Sequence, residues 1–152
     1  MGIKENTACI YIASDHAGFE LKSYLLDYLK KNNIESSDLG CYSLQSVDYP
    51  DYAYKLVENM KKSPLSKGIL VCGSGIGMSI AANRFKIIRA ALCINSAMAT
   101  LARTHNNANV LVLGARIINN ETALECLEAF IETEYTEKKY QTRIDKLSVG
   151  EC

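Results

Sequence analysis

The sequence predicts an α/β fold: a three-layer αβα sandwich in which a five-stranded parallel sheet carries helices on both faces. Two observations indicate this. Short apolar runs without polar alternation, typical of strands buried on both faces, alternate along the chain with segments whose apolar residues recur every three or four positions. The 152 residues, 48% of them hydrophobic and 22% charged, also suit one compact domain. We therefore expect a single domain over residues 1–152.

The first half of the chain predicts three strands, at residues 9–13, 34–39 and 68–72, of which the last is the clearest. An amphipathic helix lies between the first two. Its apolar stripe is Leu21, Tyr24, Leu25, Tyr28 and Leu29, and its opposite face carries Lys22, Asp27, Lys30 and Lys31. The next helix begins at Pro50 and ends before Pro64, because proline fits a first helical turn and cannot continue a last one.

The second half predicts the remaining elements and a tail. In order they are a helix to about residue 84, a strand at 88–94, a helix at 97–104, a strand at 110–113 and a helix at 122–131. The tail, residues 138–152, is polar with few apolar positions, so we expect it to be helical and to contact a partner subunit. Such a Rossmann-like sheet binds ligands beyond the carboxyl ends of its strands.

Charge and composition exclude several classes of protein. Lys+Arg and Asp+Glu both number 17, so no net charge favours binding to nucleic acid or to an anionic membrane. The apolar stretches are far shorter than a bilayer span of ~20 residues, and residues 1–7 lead into no secretory apolar core. The six cysteines show no metal or redox spacing. We expect a cytoplasmic protein with reduced thiols, no metal and no cofactor.

The strongest candidate site is the loop that follows the third strand. Its three glycines within five residues, Gly73, Gly75 and Gly77, let backbone amides converge on an anion. A tight turn alone would need only one of them. Phosphate motifs that require Lys, Gly or Arg at the next position are excluded by Met78.

Cys72 ends the third strand and faces these amides, which would favour its thiolate. A thiolate held there suits proton abstraction beside a carbonyl group. The alternative is one more buried thiol, which is our expectation for Cys9, Cys93 and Cys126.

Further polar residues follow other strands and helices. Asp15 and His16 come after the first strand, although Asp15 could simply cap a helix. His105 ends the fourth helix, a position where a surface histidine is ordinary. Cations that could clamp a phosphate, or be solvated charges, are Arg116, Lys139 and Arg143.

Seven segments together resemble one family. They are SDHAGFELK at 14–22, DYP at 48–50, CGSGIG at 72–77, AANR at 81–84, IRAA at 88–91, HNNANV at 105–110 and GAR at 114–116, followed by Arg143-Ile144. In this order, over nearly the whole chain, they resemble the type B ribose-5-phosphate isomerases. These belong to a wider sugar-phosphate isomerase family that includes galactose-6-phosphate isomerase subunits.

The resemblance implies a metal-free aldose–ketose isomerase of the pentose phosphate pathway. It would interconvert D-ribose 5-phosphate and D-ribulose 5-phosphate through an enediolate, as a homodimer or tetramer with shared active sites. Cys72 would be the base, Ser74 and the amides of Gly73, Gly75, Ile76 and Gly77 would hold the oxyanion, and His105 would open the sugar ring. Asp15 and Tyr49 would contact hydroxyls, Asn106 the substrate, and His16, Arg116, Lys139 and Arg143 the phosphate.

Three residues bear on the choice of substrate and mechanism. Lys139 stands where the family pattern has arginine, so it keeps the charge and loses a bidentate fork. Some relatives lack the equivalent of Cys72 and use a carboxylate elsewhere. His105 favours the ribose enzyme over galactose-6-phosphate subunits. The alternatives are a hexose-6-phosphate isomerase, acting on allose or galactose 6-phosphate, and a non-catalytic phosphosugar-binding protein.

Overall fold

The computed structural model describes residues 8–150, so the expectations for residues 1–7 and for Cys152 lie outside the described residues. The described part has one five-stranded sheet, all parallel, in the order β2-β1-β3-β5-β4. Its strands are β1 Ile10–Ser14, β2 Ser36–Asp38, β3 Lys67–Cys72, β4 Ala90–Leu92 and β5 Val110–Gly114. Its helices are α1 Phe19–Lys31, α2 Tyr49–Lys62, α3 Ile76–Ala82, α4 Ser96–Asn106, α5 Asn120–Glu132 and α6 Gln141–Lys146, with a 3-10 turn at Lys138–Tyr140 before α6. The predicted α/β sandwich is confirmed.

The two edge strands are shorter than the apolar runs that predicted them. β2 and β4 have three residues each, although residues 34–39 and 88–94 were expected to be extended. Each pairs with one neighbour only, β2 with β1 and β4 with β5, so the ladder ends where that neighbour's register ends. Ile88, which precedes β4, is buried in the core, and Ile94, which follows β4, is exposed.

Asparagine caps extend two helices beyond their predicted starts. The Asn95 side chain accepts the N–H of Met98 at 2.9 Å, so α4 begins at Ser96. The Asn119 side chain accepts the N–H of Thr122 at 2.8 Å, so α5 begins at Asn120. Each bond satisfies an amide of the first turn that has no acceptor within the helix.

Alternation along the central strands divides the core into two layers. On one face, Ile12, Ile69 and Leu111 pack against α1, α4 and α5. On the other face, Leu70 and Cys72 belong to the layer beneath α2 and α3. The residue at the end of β3 therefore lies under the start of α3.

Lys22 corrects the expected polar face of α1. It is 0% exposed, because it shares a helix face with the buried Leu25 and Leu29, three and seven residues on. Its Nζ atom lies 2.6 Å from Oδ1 of Asp38 at the end of β2. A buried ammonium requires such a partner, and the sequence does not show which carboxylate supplies it.

The tail packs in part against its own chain. Ile144 in α6 is buried at 7% exposure, while the rest of α6 is exposed or half-buried. Contact with a partner subunit remains a prediction. No helix among residues 8–150 is long and apolar enough to cross a membrane.

Candidate active site

The carboxyl ends of β1 and β3 bring two of the predicted segments together. The strands are parallel neighbours with Ser14 opposite Val71, and the N–H of Asp15 donates to the carbonyl of Val71 at 3.2 Å. The turn after β1, with Asp15 and His16, therefore lies beside the turn after β3, with Cys72. This is the juxtaposition that the sequence predicted for the carboxyl edge.

Cys72 is held by the loop that follows it. Its side chain is 4% exposed, and its Sγ accepts the N–H of Gly75 at 3.2 Å. Gly75 has φ +79, and an added Cβ would lie 2.5 Å from Leu92 Cδ1, so only glycine places this amide. The Gly75 amide therefore fixes the position of the Cys72 sulfur at the carboxyl end of β3.

Three other cysteines, Cys9, Cys93 and Cys126, have a different environment. Burial raises the pKa of Cys93 to about 12 and that of Cys126 to about 11, with a smaller contribution from a neighbouring Cys126 thiol and Glu125 carboxylate respectively. Burial and Glu35 also raise the pKa of Cys9, which is half-buried rather than fully buried as expected. These groups stay protonated thiols at neutral pH.

The loop uses some of the amides that were expected to bind an oxyanion. The N–H of Gly75 is directed at sulfur, and the N–H of Ile76 donates to Ser74 Oγ at 3.2 Å. The amide of Gly77 lies in the first turn of α3, where a helix offers it no acceptor. Gly77 and the Ser74 hydroxyl are thus the loop groups best placed to bind a developing negative charge.

Asp15 and His16 are fixed by different partners. Asp15 is 7% exposed and its Oδ1 accepts the N–H of Gly18 at 3.1 Å, which closes the turn before α1. The alternative that Asp15 caps the helix is wrong, because the N-cap of α1 is Gly18 and no side chain caps its first turn. His16 is half-buried, and its Nδ1 lies 3.2 Å from the N–H of Val47.

Tyr49 and Arg116 border the same loop. An added Cβ on Gly77 would lie 2.6 to 2.9 Å from the Tyr49 ring atoms, so the ring packs directly on this glycine. The Arg116 side chain lies over Gly73, with NH1 3.2 Å from the position of an added Cβ. Both side chains are exposed, and both help to define the carboxyl-edge group, which is Asp15, His16, Tyr49, residues 72–77 and Arg116.

The remaining predicted residues form a second cluster, the amino-edge group of His105, Asn106, Lys139 and Arg143. The rings of His105 and Tyr140 lie 4.4 Å apart between centroids. Lys139 Nζ and Arg143 Cζ lie 5.2 and 5.9 Å from the centroid of the same Tyr140 ring. Lys139 also pairs with Glu137 at 3.3 Å, and this hydrogen bond raises its pKa.

These two groups do not meet within one chain. α4 returns from the carboxyl edge to the amino edge, and His105 precedes β5, whereas Cys72 pairs with Gly114 at the far end of β5. Six residues of extended chain from Ala108 to Gly114 span roughly 20 Å, which exceeds the length of a five-carbon sugar phosphate. The set predicted from the sequence is therefore divided between two edges of the sheet.

Comparison with known proteins gives the family. The model of the ribose/galactose isomerase family matches residues 10–147. The chain belongs to this family. The ribose-5-phosphate isomerase B of Escherichia coli K12 is 36% identical over 142 residues, which are 93% of this chain and 95% of that protein. The chain is accordingly an isomerase.

Solved structures of family members have the same fold. A ribose 5-phosphate isomerase of Thermotoga maritima matches with a TM-score of 0.91 at 49% identity, covering 95% of this chain and 99% of that one. The ribose-5-phosphate isomerase B of Mycoplasma genitalium, solved with bound ribulose-5-phosphate, matches with a TM-score of 0.90 at 37% identity, covering 95% and 97%. The resemblance inferred from the sequence is confirmed.

The sequence analysis did not identify two features of this isomerase. Tyr140 was passed over, although it is the aromatic residue between Lys139 and Arg143 and joins them to His105. The contact of Val47 with His16 left no signal, because it is made by a backbone N–H.

Asn106 lies at a separate cavity of about 540 Å³ beneath the tail. Arg84, Arg89 and Ile144 also line it. This cavity is at the amino edge and does not lie over Cys72.

Proposed function

We propose that this isomerase interconverts D-ribose 5-phosphate and D-ribulose 5-phosphate, with Cys72 as the base, in a homodimer of single-domain chains. The observation that carries the proposal is the Cys72 sulfur, held by the Gly75 amide beside Asp15 and His16. Such a thiolate can accept a proton from a carbon next to a carbonyl group. Family members of known structure, one with ribulose-5-phosphate bound, support the pentose substrate.

The proton transfer balances without any other reactant. The Cys72 thiolate takes the C2 proton of the open-chain aldose, the C2–H electron pair forms the C1–C2 double bond, and the carbonyl pair moves to O1. The thiol then returns the proton to C1 while C2–O becomes the carbonyl, and the O2 proton passes to O1. The Gly77 amide and the Ser74 hydroxyl stabilise the enediolate oxygen, a role in which one donor contributes about 10²–10³ in rate.

The other half of the site comes from a second copy of the chain. A two-fold axis that sets the carboxyl-edge group of one chain against the amino-edge group of its partner forms two identical sites. Exposed apolar residues flank both halves: Ile76 and Ile80 on α3 are 56% and 58% exposed, and Met98 and Leu101 on α4 are 39% and 49% exposed. Thus α3, which begins in the glycine loop, and α4, whose last turn contains His105, both carry exposed apolar faces.

Each remaining residue has a role in this dimer. To open the sugar, His105 takes the proton of the anomeric hydroxyl and donates a proton to the ring oxygen, so that the C1–O1 bond becomes the carbonyl as the bond from C1 to the ring oxygen breaks. Asp15 and Tyr49 bind hydroxyls and Asn106 contacts the sugar. The phosphate is held by the cations Arg116, Lys139 and Arg143, together with His16.

The substrate is tested by steady-state rates on ribose, allose and galactose phosphates in the presence of excess chelator. We expect the highest kcat/KM for ribose 5-phosphate, undiminished by the chelator. A higher value for a hexose phosphate would identify a hexose-6-phosphate isomerase. Thermal stabilisation by ribose 5-phosphate without turnover of any of the sugars would contradict the proposed reaction.

The base is tested by Cys72→Ala, with Cys9→Ala as a matched control. Loss of a general base costs about 10² or more in rate, so Cys72→Ala should lose activity while its circular dichroism stays native. Cys9 is a thiol at the opposite edge of the sheet and should be dispensable. Normal turnover by Cys72→Ala would exclude the assignment.

The expected location is the cytoplasm. The cysteines of the described part, Cys9, Cys41, Cys72, Cys93 and Cys126, are free thiols, as in proteins of a reducing compartment. Fractionation of cells that express the full chain tests this.

A further inference from the structure

The segment between β2 and α2, residues 39–48, ends against the imidazole of His16. The backbone N–H of Val47 lies 3.2 Å from Nδ1 of His16. A backbone N–H is only ever a donor, so Nδ1 must accept and carries no proton. A neutral imidazole then carries its one proton on Nε2.

We propose that residues 39–48 are a positioning segment that holds His16 as the neutral Nε2–H tautomer. His16 then meets a phosphate oxygen as a directional, uncharged donor, while Arg116 and the tail cations supply the charge. That ligand rests on the proposed function above. The tautomer itself rests on the contact between Val47 and His16 alone.

The positioning segment is anchored at its start by an ion pair between Asp38 and the buried Lys22. Oδ1 of Asp38 accepts Lys22 Nζ at 2.6 Å and the N–H of Gly40 at 2.9 Å. Lys22 is fully buried, so this carboxylate has little freedom to move. The first residues of the segment are therefore fixed to α1, the helix that follows His16.

The segment is also joined to β1. The N–H of Ser14 donates to the carbonyl of Gly40 at 2.7 Å, and the N–H of Cys41 donates to the carbonyl of Ser14 at 2.9 Å. Ser14 lies two residues before His16. Both ends of the segment are thus fixed relative to the imidazole, one through Ser14 and one through Val47, and the ring is held between them.

The direct test is nitrogen-15 NMR of the full chain labelled at histidine. There are two histidines, so the spectrum of His105→Asn assigns the signals of His16. We expect a protonated, pyrrole-type signal from Nε2 and an unprotonated, pyridine-type signal from Nδ1 at neutral pH. An Nδ1–H tautomer, or an imidazolium at that pH, would overturn the proposal.

Two substitutions test whether the backbone N–H of Val47 selects this tautomer of His16. Val47→Pro removes the N–H donor, whereas Val47→Ala keeps it and removes only the side chain. We expect mixed tautomers in Val47→Pro, with KM for ribose 5-phosphate raised roughly two- to tenfold and kcat little changed. Val47→Ala should keep the single tautomer. A single Nε2–H tautomer in folded Val47→Pro would refute the role of the segment, and if that variant does not fold, the wild-type spectrum still decides the tautomer.

A second pair of variants tests the phosphate contact. Gln places an amide N–H near the position of Nε2 and Asn does not, so His16→Gln should keep a lower KM than His16→Asn. Equal KM values would refute the donor role. The NMR signals do not depend on turnover, so the two proposals can be refuted separately. A wild-type protein that is inactive but has the expected tautomer would refute only the proposed function. An active protein with another tautomer would refute only this inference.

Discussion

Complementation between two inactive variants tests the divided site most directly. Cys72→Ala destroys the carboxyl-edge group and His105→Asn destroys the amino-edge group, and these lie roughly 20 Å apart in one chain. In a two-fold heterodimer, one site receives both defects and the other receives the two intact halves. We therefore expect the isolated heterodimer to have about half of the wild-type activity per dimer.

The assay uses co-expression with two different affinity tags, so that sequential purification yields only the heterodimer, whose mass is checked by light scattering. The matched control pairs Cys72→Ala with Ser74→Ala. Both lie in the carboxyl-edge group, so every site of that heterodimer keeps one defect and no activity should return. No activity in the first heterodimer would show that each site is built within one chain. Recovery in the second heterodimer would show that Cys72 and Ser74 do not belong to the same site.

Three further outcomes follow from the contacts. Asp38→Ala should destabilise the fold by about 3–5 kcal/mol in chemical denaturation, because it leaves a fully buried ammonium without its carboxylate. Lys22→Met should cost less, because the Asp38 side chain is already 34% exposed and water can solvate its carboxylate. Burial, with Arg103 nearby, lowers the pKa of Lys67 to about 8 from 10.5, so the unfolded chain binds more protons between these values. The stability of wild type relative to Lys67→Met should rise over that pH range, and a flat difference would contradict this. Tyr140→Ala should lower kcat by removing the ring beside His105 while Tyr140→Phe keeps it, and equal loss in both would show that the ring face is not what matters.

The order of strands and helices could be predicted because each period is a local property. The 3.6-residue period and the unbroken apolar runs gave the right elements, and Gly73 to Gly77 marked the carboxyl edge of β3. Strand order, by contrast, depends on packing between distant segments. For that reason the edge strands were predicted too long, since pairing with a single neighbour decides where a ladder ends.

Lys22 shows why the helix pattern alone was insufficient. Its position on α1 matches Leu25 and Leu29, yet a charged residue is ordinarily assigned to solvent. What reverses the assignment is a carboxylate sixteen residues later, and its approach follows from the pairing of β2 with β1. The location of His105 could have been predicted: a helix that follows a parallel strand must return to the amino edge, away from Cys72.

This division has a chemical consequence. In the mechanism proposed above, the carboxyl-edge group supplies the base, Cys72, and the amino-edge group supplies the ring-opening residue, His105, together with two cations. A five-carbon aldose phosphate is almost entirely cyclic in water, so a lone chain could act only on the small open-chain fraction. In the proposed dimer, assembly would therefore add ring opening to proton transfer, and it would enclose Cys72 where excluded water strengthens every electrostatic contact. On this reasoning a four-carbon aldose phosphate, too short to form a stable ring, should depend least on His105.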